Sequence, residues 1–150
     1  MAALTQIAKE QIGKQLLNLV TEASLKMVLV DSTYTFDPAE DFVDAGDAGD
    51  VTSHEISVSG YVPGFGGAGR RVPSTRVWSI DGNRLEMNHA AETWTALAAG
   101  ATIGGVVYIV EKTSDTDSWV LGFDTLTADK ATNGSNVVYT PNADGPFQLD

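Results

Sequence analysis

The longest stretch of the chain without a charged side chain runs from Thr93 to Val110. Its eighteen residues reach the length of a membrane-spanning helix. Three glycines lie inside it, however, and each would weaken a helix, whether in a membrane or in a buried core. The second half, from Gly105 to Val110, is β-branched and aromatic, which is typical of a strand. We therefore predict a turn or loop at residues 98–101 and a buried strand over residues 102–111.

Apolar residues near the N-terminus recur at the spacing of a helix. Residues 2–21 carry an apolar stripe whose members lie mostly three or four positions apart, with polar side chains off that stripe. The stripe consists of Leu4, Ile7, Ala8, Ile12, Leu16, Leu19 and Val20. The sequence predicts an N-terminal helix that either covers one face of a sheet or packs on another subunit.

Most of the remaining chain alternates between apolar and polar residues with the period of a strand. These stretches cover residues 24–30, 54–62, 118–123, 136–139 and 146–149. A hairpin over residues 74–88 turns at Asp81-Gly82-Asn83, and residues 126–135 are predicted as a loop. The pattern predicts a mainly β fold of about eight antiparallel strands, in a sandwich or jelly-roll-like barrel, with one N-terminal α-helix. We expect a single domain over residues 1–150, with the helix in residues 1–22 and the β domain in residues 24–150.

Acidic residues outnumber basic ones, 20 to 9, and the formal net charge is −11. This surplus disfavours nucleic acid as a partner, because its phosphates would be repelled over most of the surface. The chain has no cysteine, which excludes disulfides and thiolate chemistry. Charged residues occur too early in the N-terminus for the apolar segment of a signal peptide. We expect a soluble protein without a membrane partner that does not use that export route.

All four arginines lie within fifteen residues, from Arg70 to Arg84. Either they are ordinary solvated charges, or they form a basic patch that docks on an acidic partner. The glycine-rich residues 63–69 before them match the spacing of a dinucleotide-binding loop, but an extended segment with Pro73 stands where such a loop needs a helix. We interpret residues 63–69 as a flexible loop, either a hairpin tip or an arm that reaches a neighbour.

The sequence offers little catalytic chemistry. His54 and His89 are the only histidines, which argues against a structural zinc site, and neither a nucleophile elbow nor a phosphate-binding loop occurs. The acidic residues 44–50 do not match a helix–loop–helix calcium site, so they are either a solvated loop or a weak divalent-cation site. We expect no enzymatic activity and no cofactor. The tryptophans are either core anchors or ligand-stacking side chains: Trp78, Trp94 and Trp119.

Five segments of the chain occur in a characteristic order: KMVLVDSTYT at 26–35, ETWTAL at 92–97, TIGGVVY at 102–108, WVLGFD at 119–124 and PFQL at 146–149. Their order and spacing resemble a family of small tailed-phage virion proteins, encoded among head and tail morphogenesis genes. The predicted N-terminal helix and the glycine-rich loop depart from that pattern. The resemblance implies a structural role in the virus particle and supplies no catalytic residues.

This resemblance leads to the expectation of a capsid decoration or cement protein that binds the head lattice. A head–tail connector or tail component is one alternative, and a carbohydrate-binding module that uses Trp78 or Trp119 is another. The expected partners are the major capsid protein or other virion proteins, and we expect a homo-oligomer, with a trimer favoured. The expected location is the virion, which is assembled in the host cytoplasm. The predicted partner contacts are Leu4, Ile7, Ile12, Leu16, Phe65, Arg70, Arg71 and Arg76.

Overall fold

The structure is a computed structural model that describes residues 22–81, 84–142 and 147–149. The predicted N-terminal helix lies outside these residues. The first described element is a single 3-10 turn, Glu22–Ser24, and the one α-helix of the described residues is the short α1, Val51–His54. The described residues otherwise form strands and irregular connections, which confirms the prediction of a mainly β protein.

The strands form three antiparallel sheets. The first sheet has the order β1-β5-β6, with β1 at Leu25–Asp31, β5 at Thr102–Val110 and β6 at Trp119–Ala131. The second has the order β2-β3-β8, with β2 at Val77–Asp81, β3 at Arg84–Asn88 and β8 at Phe147–Leu149. The third pairs β4, Glu92–Trp94, with β7, Val137–Tyr139. None of these sheets closes into a barrel in the described residues, so the barrel alternative is wrong, while the sandwich stays a prediction.

Strand β5 is the centre of the first sheet, and the prediction of a buried strand after residues 98–101 is confirmed. Every residue from Ile103 to Val110 is buried. Two glycines allow this burial: a Cβ at Gly104 would lie 2.6 Å from Ser32 Cα, and one at Gly105 would lie 2.3 Å from the Phe123 ring. Among the described residues, no helix has the length and apolar character needed to cross a membrane.

The two faces of the first sheet carry separate apolar clusters, because neighbouring residues of a strand point to opposite sides. Leu29 and Tyr108 belong to the first cluster, where side chains from β3, β4 and β7 pack on the sheet. Val30 and Ile109 belong to the second, which is covered by residues from the connection between β1 and α1. The strand that was predicted over residues 24–30 therefore packs against apolar residues on both faces.

A line of polar groups crosses the first cluster. The His89 ring bonds to the carbonyl of Ala90 through Nδ1 at 2.7 Å and to the hydroxyl of Tyr108 through Nε2 at 2.7 Å. The Tyr108 and Tyr139 hydroxyls lie 2.9 Å apart, and the Tyr139 hydroxyl also donates to the carboxylate of Asp124. These contacts satisfy polar atoms that would otherwise be buried without partners.

The prediction of a strand over residues 54–62 is wrong. Its first residue closes α1, and the chain reverses at residues 58–61, where the Tyr61 amide donates to the Val58 carbonyl at 2.9 Å. Gly60 makes this turn because its φ of +94° suits glycine. Ile56 is buried beside β1, where its backbone amide donates a hydrogen bond to the Leu29 carbonyl. The alternation of Ile56 with its polar neighbours therefore comes from this burial and not from a continuous strand.

The prediction of a loop over residues 126–135 is also wrong for its first half, since β6 extends to Ala131. Pairing with the buried strand β5 supplies the hydrogen bonds, and the outer position of β6 in its sheet tolerates polar and charged side chains. The register is uneven: Ile103 pairs with Lys130 and Gly105 with Thr125, so residues 126–129 stand opposite Gly104 alone. Such an excess of residues is a bulge, which bends the strand.

Candidate functional site

The glycine-rich segment forms a closed loop that we call the glycine loop, residues 62–72. The Gly69 amide donates to the Val62 carbonyl at 3.0 Å, and the Gly67 amide donates to the Gly64 carbonyl at 2.8 Å. Gly67 has no room for a side chain, because a Cβ there would lie 2.3 Å from the Val62 carbonyl oxygen. The segment was predicted to be a flexible loop, either a hairpin tip or an arm, and its backbone hydrogen bonds close it on itself.

The side chain of Arg70 lies at the base of the glycine loop and is the centre of a buried ion network. Its Nε and Nη2 atoms bond to the Glu55 carboxylate at 3.0 and 2.7 Å. Its Nη2 also bonds to Asp115 at 3.1 Å, and its Nη1 bonds to Glu111 at 3.3 Å. Arg70 is only 3% exposed, so one buried guanidinium bonds to three carboxylates from two distant parts of the chain, residue 55 and residues 111–115.

The same carboxylates hold the backbone of the glycine loop. Glu55 accepts a hydrogen bond from the Gly64 amide at 3.0 Å, and Glu111 accepts one from the Gly66 amide at 3.1 Å. Both glycines have positive φ angles, which turn their amides toward the network. The network therefore connects Arg70 to the tip of the loop through two acidic side chains.

The charge state of Arg70 follows from this environment. Burial alone would lower its pKa, but the hydrogen bonds and negative charges of Glu55 and Asp115 outweigh burial and raise the pKa above its ordinary value. The guanidinium stays charged across the whole physiological range. Burial and the charge of Glu55 likewise raise the pKa of Tyr61, whose hydroxyl donates to Glu55 at 2.9 Å.

The three arginines whose side chains the structure describes, Arg70, Arg71 and Arg76, do not form an exposed basic patch, which was one of the two alternatives. Arg70 is buried within its own chain, and its role as a partner contact stays a prediction. Arg71 is half-buried: its backbone pairs with Met27 of β1, and its guanidinium bonds to the Thr93 carbonyl and lies 5.8 Å from the centre of the Trp94 ring. Arg76 is half-buried as well. The predicted helix contacts Leu4, Ile7, Ile12 and Leu16 lie outside the described residues.

Phe65 is the predicted contact residue that the structure exposes. It lies between Gly64 and Gly66 at the tip of the glycine loop, and 46% of it is exposed. Val62 and Val72 are exposed at the two ends of the same loop. An exposed aromatic side chain on a backbone that is already ordered is the kind of group that anchors a protein interface. The glycine loop is therefore the candidate docking site.

A second feature is an open acidic cavity of about 320 Å³ beside the loop of residues 44–50. Its walls combine Asp37, Glu40, Asp41 and Asp47 with the apolar side chains of Phe42 and Ala45. Asp50 lies behind Glu40 and is only 1% exposed, while its Oδ2 accepts hydrogen bonds from the Gly46 and Asp47 amides at 2.7 and 2.8 Å. The interpretation of residues 44–50 as a wholly solvated loop is wrong at Asp50.

Glu40 and Asp50 form a coupled acidic pair. Burial raises the pKa of Glu40 to about 7, and the hydrogen bond with Asp50 and the charges of Asp50, Asp47 and Asp37 raise it in the same direction. Burial also opposes the charge on Asp50, but hydrogen bonds from Asp47, Glu40, Ala45 and Gly46 outweigh it and lower the pKa of Asp50. Glu40 therefore holds the proton of the pair, and Asp50 holds the charge.

This pair predicts a pH dependence of stability. Folding raises the pKa of Glu40 from 4.5 to about 7, so the folded state binds a proton more tightly than the unfolded state does. The stabilising contribution is complete below about pH 4.5 and is lost as the pH rises through about 7. The Glu40→Gln variant should lose this decline, because glutamine stays neutral and can still donate to Asp50. Urea unfolding of both proteins at pH 5, 6, 7 and 8 measures the effect, and parallel profiles would contradict it.

Sequence reasoning missed the acidic partners of Arg70, which lie 15, 41 and 45 positions away from it in the chain. In the part of the chain that the structure describes, no three His, Cys, Asp or Glu side chains are placed to hold a metal ion together. Comparison with known proteins finds no matching family model, no similar curated protein and no similar solved structure.

Proposed function

We propose that the chain is a structural protein of a tailed-virus particle, and specifically a decoration or cement protein that binds the head lattice. Its partner is then the major capsid protein or another virion protein, and its location is the virion, assembled in the host cytoplasm. The proposal includes neither enzymatic activity nor a cofactor, nucleic-acid or membrane partner. The order of the five phage-like segments supports this assignment.

The observation that carries the proposal is the exposed Phe65 on the glycine loop. The buried network of Arg70 with Glu55 and Glu111 orders this loop without any partner, through bonds to the Gly64 and Gly66 amides. Docking then costs less conformational entropy than it would for a loop that must first be ordered. A protein that adds to an existing lattice needs a contact surface of this kind.

The proposed architecture is a two-layer sandwich, and the proposed assembly is a homo-oligomer, with a trimer favoured. The first apolar cluster supports the sandwich, because it joins Tyr108 of β5 to Met87 of β3, Trp94 of β4 and Tyr139 of β7 across the sheets. A trimer would place three glycine loops on one lattice site, so that three weak contacts add to one strong attachment.

Copy number per particle tests the proposed function. Quantitative mass spectrometry of purified particles should find the protein in hundreds of copies if it decorates the head, because decoration follows the capsid lattice. A head–tail connector, the first alternative, would be present in about a dozen copies, as one ring. Absence from the particles would overturn both assignments.

Replacing Phe65 with serine should separate binding from folding. Because the side chain is exposed, we expect the free energy of unfolding to change by no more than about 0.5 kcal/mol. Binding to particles assembled without the protein should weaken by about 2 kcal/mol, the size of an interface hot spot. Cosedimentation with such particles measures the change. Leu121→Ser, at another exposed apolar residue, is the control, and equal losses in both variants would contradict a specific role of the loop.

A carbohydrate-binding module stays the second alternative because Trp119 is exposed on β6, close to the exposed Phe42 with which it forms a backbone bridge. The ammonium group of Lys112 lies 3.5 Å from the centre of the Trp119 ring and covers part of one face. A sugar would have to displace this lysine or stack on the opposite face. A change of tryptophan fluorescence with a panel of glycans would favour this alternative, and no change would remove it.

A further inference from the structure

A row of four apolar side chains crosses the first sheet at the end where β1 begins. Leu25 pairs with Val110, and Val110 pairs with Trp119 on the outer strand β6. Phe42, from the connection between β1 and α1, continues the row through an antiparallel backbone bridge to Trp119. Paired residues of antiparallel strands point to the same face of a sheet. The row therefore lies on the face of the first apolar cluster, to which Leu25 belongs.

This row is buried at one end and exposed at the other. Leu25 and Val110 are 1% and 2% exposed, whereas Trp119 and Phe42 are 42% and 39% exposed. The hydrogen bonds of the bridge flank the pair of Phe42 and Trp119, and this type of pair brings two side chains closest together. Phe42 and Trp119 thus form one exposed surface, which we call the aromatic patch and which extends the core outward.

The chain outside the described residues joins the fold at the buried end of the row. The 3-10 turn Glu22–Ser24 immediately precedes Leu25, and the Ser24 carbonyl accepts a hydrogen bond from the Glu111 amide at 2.7 Å. A helix over residues 2–21 would be about 30 Å long, at about 1.5 Å per residue. The row spans three strand spacings, or about 14 Å. Residues 1–21 are therefore long enough to turn back and cross it.

Residues 1–21 also match the aromatic patch in chemistry. Their apolar stripe needs an apolar surface to cover it, and the patch offers one that is continuous with the core. The segment contains two lysines and one glutamate and is net positive, whereas the whole chain has a net charge of −11. The rest of the chain therefore attracts this segment.

We propose that residues 1–21 fold back on their own chain as a helix whose apolar stripe packs on the aromatic patch. Of the two alternatives for the helix, this is the one in which it covers a face of a sheet. The ammonium group of Lys112 lies 3.5 Å from the centre of the Trp119 ring, so the helix would leave no open ring face for a sugar. The proposal does not rest on the proposed function.

A spin label on residues 1–21 tests the proposal in the full chain. The chain has no cysteine, so Lys14→Cys gives a single attachment site, on a residue off the apolar stripe. The label should broaden the amide signals of Phe42 and Trp119 in the ¹⁵N-labelled protein. It should leave the signal of Ala131 sharp, because this residue pairs with the opposite end of β5, about 27 Å away.

Two pairs of variants of the spin-labelled protein test the apolar contact itself. Ile12→Ser, on the stripe, should remove most of the broadening at Trp119, whereas Gln6→Ser, off the stripe, should retain it. On the sheet, Phe42→Ser should also remove it, and Val138→Ser, at an exposed apolar residue of β7, should not. If Phe42→Ser does not fold, the comparison of Ile12→Ser with Gln6→Ser decides the question.

Any of four results would overturn the proposal. Sharp signals at both Phe42 and Trp119 would show that the segment lies elsewhere, and broadening at Phe65 in their place would locate it on the glycine loop. Equal broadening in Ile12→Ser and Gln6→Ser would exclude the stripe as the contact. Finally, spin-labelled chains without ¹⁵N can be mixed with ¹⁵N-labelled chains without the spin label. Undiminished broadening in this mixture would make a second copy of the chain the occupant.

Discussion

Replacing Arg70 with methionine is expected to lower the free energy of unfolding by about 3–5 kcal/mol, because it leaves buried carboxylates without a counter-charge. Glu55 is the most affected partner, since its side chain is almost wholly buried and makes three of the hydrogen bonds to the guanidinium. Methionine matches the length of the arginine stem but neutralises no charge. Urea unfolding at pH 7 measures the loss.

Two further variants define the origin of this loss. Arg70→Lys keeps the positive charge but cannot reach the carboxylates with a planar set of donors, so it should lie between the wild type and Arg70→Met. Adding Glu55→Gln to Arg70→Met should recover part of the loss, because one buried charge is then removed. Lys130→Met, on the outer strand β6, is the control and should change the free energy of unfolding by no more than about 0.5 kcal/mol. An Arg70→Met protein as stable as the wild type would show that the network does not stabilise the fold.

The second large effect is expected at Gly104, the third residue of the buried strand β5. A Cβ added there would lie 2.6 Å from Ser32 Cα and 2.9 Å from the Asp31 carbonyl oxygen. Both atoms belong to the backbone, so no side-chain rotation can relieve the overlap, and β1 and β5 must separate. We expect Gly104→Ala to destabilise the protein by about 2–3 kcal/mol, as for an overpacked core.

Gly49→Ala is the matched control for this substitution. The added Cβ there would meet only the Asp47 carboxylate, at 3.2 Å, which lies at the end of an exposed side chain. We expect a change of no more than about 0.5 kcal/mol in this variant. Thermal unfolding followed by circular dichroism compares the two proteins. Equal melting temperatures for Gly104→Ala and the wild type would show that β1 and β5 are not packed as closely as described.

The first sheet could be predicted because its signals are local. The alternation in β1 and the glycine-interrupted apolar run that contains β5 each reveal burial through neighbouring residues, and the structure confirms both strands. The hairpin of β2 and β3 was also predicted, from turn residues between two apolar runs, and its antiparallel pairing is confirmed. In each case the information lies within about ten residues, where periodicity is a reliable guide.

The remaining features depend on contacts between distant parts of the chain. Nothing near Arg70 in sequence distinguishes a buried guanidinium from an exposed one, since its partners Glu111 and Asp115 follow more than forty positions later. Residues 126–131 look like a loop by composition and belong to a strand because β5 pairs on both sides of the bulge, with Thr125 and with Lys130 and Ala131. Of the candidate docking site, Phe65 was predicted as a partner contact, but the network that orders its loop was not predicted.

The line of polar groups from His89 to Asp124 has fewer hydrogens than it has contacts. The Ala90 carbonyl can only accept, so His89 Nδ1 carries a hydrogen. Three contacts then remain, from His89 Nε2 through Tyr108 and Tyr139 to Asp124, but the two hydroxyls supply only two hydrogens. All three contacts can be hydrogen bonds at once only when one proton more than these two is present in the line. Because each hydroxyl has a single hydrogen to donate, the position of that proton fixes the direction of all three hydrogen bonds together.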